Sequence, residues 1–228
     1  MAIPTNVNDD FSKRAVAHAA AADWIPSPMA GVDRKPLDRI GGEVARATSI
    51  VRYAPGSAFS AHVHTGGEEF LVLDGVFQDE HGDFPAGVYV RNPPTTRHTP
   101  SSAPGCTILV KLWQFDMGDR NQFRVDPADM TFEPAGDGIE AARLHKDDRE
   151  EVRMERWAPG ARVAADATDG LEVFVTKGGF VEGGETFGAW SWLRLPKGAA
   201  LAAVAGPEGA EVWVKSGHLR ETPEGPKA

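Results

Sequence analysis

The chain of 228 residues has 33 acidic and 24 basic side chains, which give a net charge of −9. Because Lys and Arg form no run, this composition argues against nucleic acids and anionic membrane surfaces as partners. A single cysteine, Cys106, excludes an intramolecular disulfide and is expected in a buried strand. We find no pattern of a signal peptide or a membrane span, so the sequence predicts a cytoplasmic protein.

The first part of the chain is predicted to be weakly structured. Residues 1–24 are interpreted as an N-terminal extension, in which the Ala-rich residues 15–22 are compatible with a helix or an added edge strand. Pro and Gly punctuate residues 25–42, which we interpret as a loop with short extended pieces. Residues 43–53 are rich in β-branched side chains and are predicted to form a strand.

Short strands then follow one another closely, separated by turns that contain Gly or Pro. They are predicted at residues 57–64, 69–73, 76–79, 87–91 and 107–115. Because no convincing helical period interrupts them, this succession predicts an all-β sandwich or barrel. The predicted domains are 25–118 and 138–220, with a linker at 119–137 and a tail at 221–228.

Candidate metal ligands lie in the segment GSAFSAHVHTGGEEFLVLDG, residues 56–75. His62 and His64 are two residues apart, so on a strand both imidazoles point to the same face. Glu68 follows after a Thr-Gly-Gly break, where glycine can adopt positive φ angles and turn the chain into a paired strand. Two imidazoles and a carboxylate on one face can bind a divalent transition metal.

The spacing in this segment resembles the first motif of the cupin superfamily, Gly-x5-His-x-His-x3-Glu-x6-Gly. Residues 87–98 resemble the second motif, Gly-x5-Pro-x-Gly-x2-His, except that Thr95 replaces the second glycine. We therefore expect the backbone at Thr95 to turn differently. By this resemblance His98 is the fourth ligand. Glu69 competes with Glu68, since some cupins count four residues after the histidine pair, but the position of the closing glycine favours Glu68.

The second half of the chain repeats the first. The segment RYAPG at 52–56 returns as RWAPG at 156–160, and the same offset aligns Glu68 with Glu172. Such spacing over more than half of each unit indicates a duplication. We therefore predict two tandem cupin barrels of the double-stranded β-helix, or jelly-roll, type.

The other ligands do not recur in the second copy. In the alignment, Asp166 replaces His62 and Thr168 replaces His64. The position of His98 is taken by Leu201. Because this set has no imidazole, we predict that the second barrel is degenerate and binds no metal.

The sequence around the motifs narrows the resemblance. The run GGEEFLVLDGVFQDEHGDFPAGVYVRNPP, with TSIVRYAPGS before it and GCTILVKL after it, is similar to the cupin domain of ChrR-type anti-sigma factors. It also resembles a ring-cleaving dihydroxyacetophenone dioxygenase. The first resemblance implies zinc and the second implies iron, bound in both cases by His62, His64, Glu68 and His98. Sigma binding in that family resides in a separate helical domain with a His/Cys site, which this sequence does not match, so no sigma-factor partner is expected.

We expect one divalent ion per chain at a small-molecule site, with iron or zinc expected before manganese or nickel. Two functions are compatible with such a site. Around a six-coordinate ion, four ligands leave about two positions open, which suits a dioxygenase-type oxidoreductase. The same ligands complete a tetrahedral zinc site, which suits a non-catalytic sensor or regulatory cupin. We favour the enzyme and take Tyr89, Arg91 and Trp113 as candidate pocket residues. The oligomeric state is left open, a homodimer included.

Overall fold

A computed structural model describes residues 3–226. The first fourteen strands are β1 (Asn6–Val7), β2 (Ala15–His18), β3 (Ile25–Pro26), β4 (Val32–Gly41), β5 (Ala45–Tyr53), β6 (Ser57–Ala58), β7 (His62–Val63), β8 (Glu68–Asp79), β9 (Gly82–Pro85), β10 (Tyr89–Asn92), β11 (Arg97–His98), β12 (Ser101–Ser102), β13 (Cys106–Leu112) and β14 (Phe123–Val125). A 3-10 turn at Pro127–Asp129 precedes β15 (Glu133–Gly136), β16 (Ile139–Lys146), β17 (Glu151–Trp157), β18 (Arg162–Ala167), β19 (Leu171–Glu182), β20 (Glu185–Gly188), β21 (Ser191–Leu195) and β22 (Ala199–Ser216). The predicted all-β class is confirmed, and no helix in the described part is long and apolar enough to cross a membrane.

The chain divides into two compact units. The N-terminal unit contains residues 3–9, 23–129 and 224–226, and the C-terminal unit contains residues 10–22 and 130–223. The remaining residues, 1–2 of the predicted extension and 227–228 of the predicted tail, lie outside the described part of the chain.

Both units are built on the same order of five antiparallel strands. Neighbours run β4-β5-β13-β8-β10 in the N-terminal unit and β16-β17-β22-β19-β21 in the C-terminal unit. An outer strand extends each sheet at the last position, since β14 pairs with β10 and β2 pairs with β21. The duplication and the tandem jelly-roll barrels are therefore confirmed.

The observed units differ from the predicted domain boundaries. The Ala-rich stretch of the extension forms strand β2 of the C-terminal unit, not a helix. The predicted linker contains β14 and β15, which are outer strands of the two sheets. The local sequence did not reveal these strands because a short edge strand is stabilised by partners that are distant along the chain.

The stretch predicted as a loop, residues 25–42, contains the ten-residue strand β4. Pro36 has no amide hydrogen, but it lies between the parts of β4 that pair with β3 and with β1, so it interrupts neither of these two pairings. The register with β5 shifts between Pro36 and Asp38, which makes Leu37 the extra residue of a β-bulge. Proline and the bulge explain why the pattern of this segment suggested a loop.

Cys106 lies in β13 and is buried, as predicted. Burial raises the pKa of its thiol to about 11. The reactive thiolate is therefore scarce at neutral pH, which agrees with a packing role.

The turn before β11 has the same backbone conformation as the turn before β22 in the C-terminal unit. Thr95 has a φ of 80°, and so does Gly198 at the equivalent place. The amide of Thr95 donates to the carbonyl of His64, and the amide of Gly198 donates to the carbonyl of Ala167. The expectation that Thr95 would turn differently is wrong: a β-branched residue here adopts the left-handed conformation that favours glycine.

We expect Thr95→Gly to stabilise the protein and Gly198→Thr to destabilise it, each by about 1 kcal/mol, because the left-handed region is unfavourable for residues with a Cβ. Thr95 is exposed, and a Cβ at Gly198 would meet no atom within 4 Å, so little else changes. Urea denaturation of the metal-free proteins measures both effects. A loss of stability in Thr95→Gly would contradict this explanation.

Candidate metal centre

Three strands bring the four predicted ligands together. β7 contains His62, and its register partner in the antiparallel strand β11 is His98. His64 is held by backbone hydrogen bonds to the turn that precedes β11. Glu68 is the first residue of β8. The alternation predicted for His62 and His64 therefore places both imidazoles beside His98 and Glu68.

One ligand atom from each side chain lies within 4.8 Å of every other. Nε2 of His64 is 3.2 Å from Nε2 of His98, and Oε1 of Glu68 is 3.5 Å and 3.7 Å from these two nitrogens. Two nitrogens bound to one ion at ~2.1 Å lie about 3.0–3.4 Å apart between octahedral and tetrahedral angles. The cluster therefore has the dimensions of a mononuclear metal site.

The nitrogens that face away from the cluster, Nδ1, are hydrogen-bonded in two imidazoles to groups that can only accept a hydrogen bond. Nδ1 of His98 lies 3.2 Å from a carboxylate oxygen of Asp79, and Nδ1 of His62 lies 3.3 Å from the carbonyl oxygen of Ser60. Both rings therefore donate from Nδ1, which leaves the lone pair on Nε2.

The third imidazole has the same tautomer for a different reason. Nδ1 of His64 is 2.9 Å from the hydroxyl oxygen of Thr96. That hydroxyl donates its own hydrogen to the carbonyl of Pro93, at 2.7 Å, so it accepts from His64. Such contacts to the outer nitrogen fix the ring orientation and the tautomer of metal-binding histidines.

The donor atoms of the cluster match a divalent cation. Oε1 of Glu68 is buried and has no hydrogen-bond partner in the described structure. One nitrogen of each imidazole and this oxygen converge, all within 4.8 Å of one another. Imidazole nitrogens with one carboxylate suit iron, zinc, manganese and nickel, so the residues present fit the group that the sequence predicts.

Two histidines of the cluster have shifted pKa values. Burial lowers the pKa of His64, which favours the neutral ring that a metal requires. Burial also disfavours the charged form of His98, but the hydrogen bond to Asp79 and the charge of Glu68 raise its pKa overall. The positive charge that this environment favours at His98 could equally be provided by a bound cation.

Asp79 was missed by the sequence analysis. It is the last residue of β8, whereas Glu68 is the first, and a straight strand of twelve residues would be about 40 Å long. Both residues nevertheless reach His98, because the register of β8 with β13 shifts between Thr107 and Ile108, where β8 bends around the barrel. Only the bend brings the two ends of one strand to one imidazole.

Glu69, the competing carboxylate, faces the opposite side of β8 from the cluster. Its Oε2 accepts from the hydroxyl of Tyr89 at 2.7 Å and lies 3.4 Å from Arg91. The structure thus brings Glu68, not Glu69, to the three histidines. Tyr89 and Arg91 share the face of Glu69 and do not line the cavity beside the cluster, so their prediction as pocket residues is wrong. The strand period of two places alternate residues on opposite faces, and the sequence did not fix which face was inward.

A cavity of about 530 Å³ opens beside the cluster, and Trp113 lines it, as predicted. Small residues on the inward face of β5, Ala45, Ala47 and Ser49, leave this space. The Gly-Gly break is required here, because a Cβ at Gly66 would lie 2.1 Å from the Trp113 ring.

The register of the C-terminal unit corrects the sequence alignment by one residue. Ala165 and Leu201 are register partners, as His62 and His98 are. Leu171 begins β19 and pairs with β21 and β22, as Glu68 pairs with β10 and β13. The structural counterparts of the four ligands are therefore Ala165, Ala167, Leu171 and Leu201.

The second copy has one residue fewer between the RWAPG segment and β18, which a constant offset could not show. Asp166 and Thr168 are thus not the counterparts of histidines. Glu172 is the counterpart of Glu69 and accepts from Nε2 of His218 at 2.8 Å. All four ligand positions in this unit are apolar, and the absence of metal binding there stays a prediction.

Comparison with known proteins agrees with this architecture. The family model of the ChrR Cupin-like domain matches residues 12–116 and 120–220. A protein of Nostoc punctiforme described as a candidate dioxygenase superposes with a TM-score of 0.75 at 13% identity, over 95% of this chain and 87% of that chain. The Escherichia coli protein Ylba gives 0.70 at 11% identity, over 94% and 95%. Oxalate decarboxylase of Lactobacillus farciminis gives 0.65 at 10% identity, over 89% and 86%.

At these identities the structural likeness shows the fold alone, and no curated protein sequence matches the chain. The two family matches together span most of the sequence. The chain therefore belongs to the family of the ChrR Cupin-like domain and contains two copies of that domain in tandem.

Proposed function

We propose that the N-terminal unit binds one divalent metal ion and that the protein is an O2-dependent, dioxygenase-type oxidoreductase acting on a small organic molecule. The observation that carries this proposal is the cavity of about 530 Å³ lined by three of the four ligand residues, His62, His64 and Glu68. Its volume lies in the range of small-molecule sites.

The ligands differ in exposure in a way that supports an open coordination side. His64, Glu68 and His98 are buried, whereas His62 is exposed and lines the cavity. A metal site that only stabilises a fold is usually closed by its ligands and has no need of adjacent space. This asymmetry favours the enzyme over the purely structural zinc site.

The bound metal would supply Lewis acidity and adjacent positions for O2 and substrate oxygens. The protein contributes the orientation of the ligands: Asp79 and Thr96 hold two imidazole rings by their outer nitrogens. Val51, Phe59 and Val110 give the cavity an apolar wall, which limits water around the reacting groups.

The test of this function is metal analysis of protein purified without chelator, followed by O2 uptake with diketones and hydroxyaryl ketones. We expect about one iron per chain and O2 consumption that His98→Gln abolishes. Stoichiometric zinc without O2 consumption, also after reconstitution with iron, would contradict the enzyme and support the sensor.

Metal binding should depend on the N-terminal cluster alone. We expect His98→Gln to lower bound metal at least about tenfold, because one of four ligands is lost. His81→Gln, at an exposed turn, and Glu172→Gln in the C-terminal unit are the controls and should retain full metal content. Elemental analysis of the purified variants measures this, and an equal loss in Glu172→Gln would contradict the single site.

Asp79→Asn tests the hydrogen bond to the outer nitrogen of His98. We expect metal affinity to fall about 10-fold to 100-fold, since the carboxylate orients the ring and favours its donor tautomer. Glu80→Gln is the matched control, because this neighbouring carboxylate accepts from the amide of Thr99 and forms no hydrogen bond with His98. Competition titrations with Co(II) give both affinities, and unchanged affinity in Asp79→Asn would exclude the positioning role.

A further inference from the structure

Two arginines of β4 face the cavity although they are five residues apart. Arg34 is the register partner of Val51, and Arg39 is the partner of Ala47, and both partners line the cavity. In a regular strand, residues five apart point to opposite faces. The bulge at Leu37 adds one residue and returns Arg39 to the face of Arg34.

Both guanidinium groups are short of hydrogen-bond acceptors. Arg39 is only 6% exposed, and Nε of both arginines is buried without a partner in the described structure. Arg39 also donates to the carbonyl of Gly42. No carboxylate of the described residues forms an ion pair with either arginine. Burial and the positive charge of Arg34 lower the pKa of Arg39.

In the C-terminal unit, a carboxylate compensates the positive charge at the equivalent position. Lys146 occupies the position of Arg39, and its register partner Glu151 binds it at 3.1 Å. In the N-terminal unit Ala47 occupies the position of that glutamate, so the cation faces open space. The position of Arg34 is taken by Ala141 in the C-terminal unit. The uncompensated pair is therefore specific to the unit that has the ligand cluster.

The charges around the cavity favour a negative ligand. The carboxylates that line it are Glu68, which is a metal ligand, and Glu43, which is exposed. A divalent ion on neutral histidines and Glu68 would add one net positive charge to those of the arginines. A positive cavity in a chain of net charge −9 concentrates field lines and attracts anions.

We propose that this cavity binds a small organic acid, with its carboxylate on Arg34 and Arg39 and an apolar body toward the mouth. Guanidinium groups bind carboxylates by charge-assisted hydrogen bonds. Exposed Met29, Val44 and Val63 line the same cavity and suit an apolar substituent. The inference rests on the proposed function in one respect, that the bound acid is the substrate of the metal centre.

The test is calorimetric titration of metal-loaded and metal-free protein with 3-phenylpropionate and with its neutral amide, 3-phenylpropanamide. We expect the acid to bind at least about tenfold more tightly than the amide in both forms, the difference that one charge-assisted hydrogen bond gives. Arg39→Gln and Arg34→Gln should each weaken the acid about tenfold and leave the amide unchanged, while Arg39→Lys should retain part of the affinity.

Arg52→Gln is the matched control, because Arg52 lies on the neighbouring strand, pairs with Asp33 and does not line the cavity. Ala47→Glu is a second variant, which reproduces the ion pair of the C-terminal unit and should abolish binding of the acid without removing a cation. Circular dichroism confirms that each variant is folded.

Equal affinity for acid and amide, no binding of the acid, or an equal loss in Arg52→Gln would overturn the anion site. Arginine-dependent binding in a protein that takes up no metal would instead contradict the proposed function alone. The two failures are therefore distinguishable.

Discussion

The site depends on the convergence of three imidazole nitrogens and one carboxylate oxygen. No positive charge balances the electron pairs of these four atoms unless a cation lies among them. Each imidazole is fixed from behind: Asp79, Thr96 and the carbonyl of Ser60 accept from the outer nitrogens. Such contacts determine the tautomer before any metal binds, so the protein does not need to reorganise the rings. A metal bound to this set would also stabilise the folded state, because the unfolded chain has no preformed cluster.

The duplication separates what the fold requires from what the site requires. Both units retain a buried glutamate on the same strand face, Glu69 and Glu172, opposite a buried arginine in the neighbouring strand. The inward positions differ: the N-terminal unit has Glu68 where the C-terminal unit has Leu171. Because the same sheet forms around either interior, the ligands and the cavity arginines are not needed for the jelly roll. Their presence in one copy alone is an argument for function.

The cavity combines three kinds of surface that a small organic acid would use. The histidine cluster lies on one side of the cavity, and the arginine pair of β4 lies on the inward face of its sheet. The exposed apolar side chains of Met29 and Val63 also line the cavity. Small residues of β5 provide the volume. If Ala47 were as large and acidic as its counterpart Glu151, the cation at Arg39 would be neutralised. The choice of small residues on one strand thus decides both the space and the charge.

Features that depend on residues close together along the chain could be predicted from the sequence, whereas features that depend on distant strands could not. Three of the candidate ligands lie within seven residues, and the strand period with the spacing of two motifs predicted the cluster of His62, His64, Glu68 and His98 before the fold was known. The all-β class and the duplication also follow from local patterns, since turns and alternation are properties of neighbouring residues. The tertiary structure rejected Tyr89 and Arg91 as cavity residues, because a strand pattern leaves two faces to choose from.

By itself, the sequence determined the candidate ligands and the repeated architecture, because both are encoded by spacing along the chain. Only the tertiary structure decided which carboxylate joins the histidines, that Asp79 supports His98, and that Leu171 replaces Glu68 in the second copy. It also decided that Arg34 and Arg39 share a face. Each of these outcomes depends on a bulge, a bend or a deletion of one residue. Such a shift reverses the faces of all later side chains in a strand, and its position is set by pairing with distant strands.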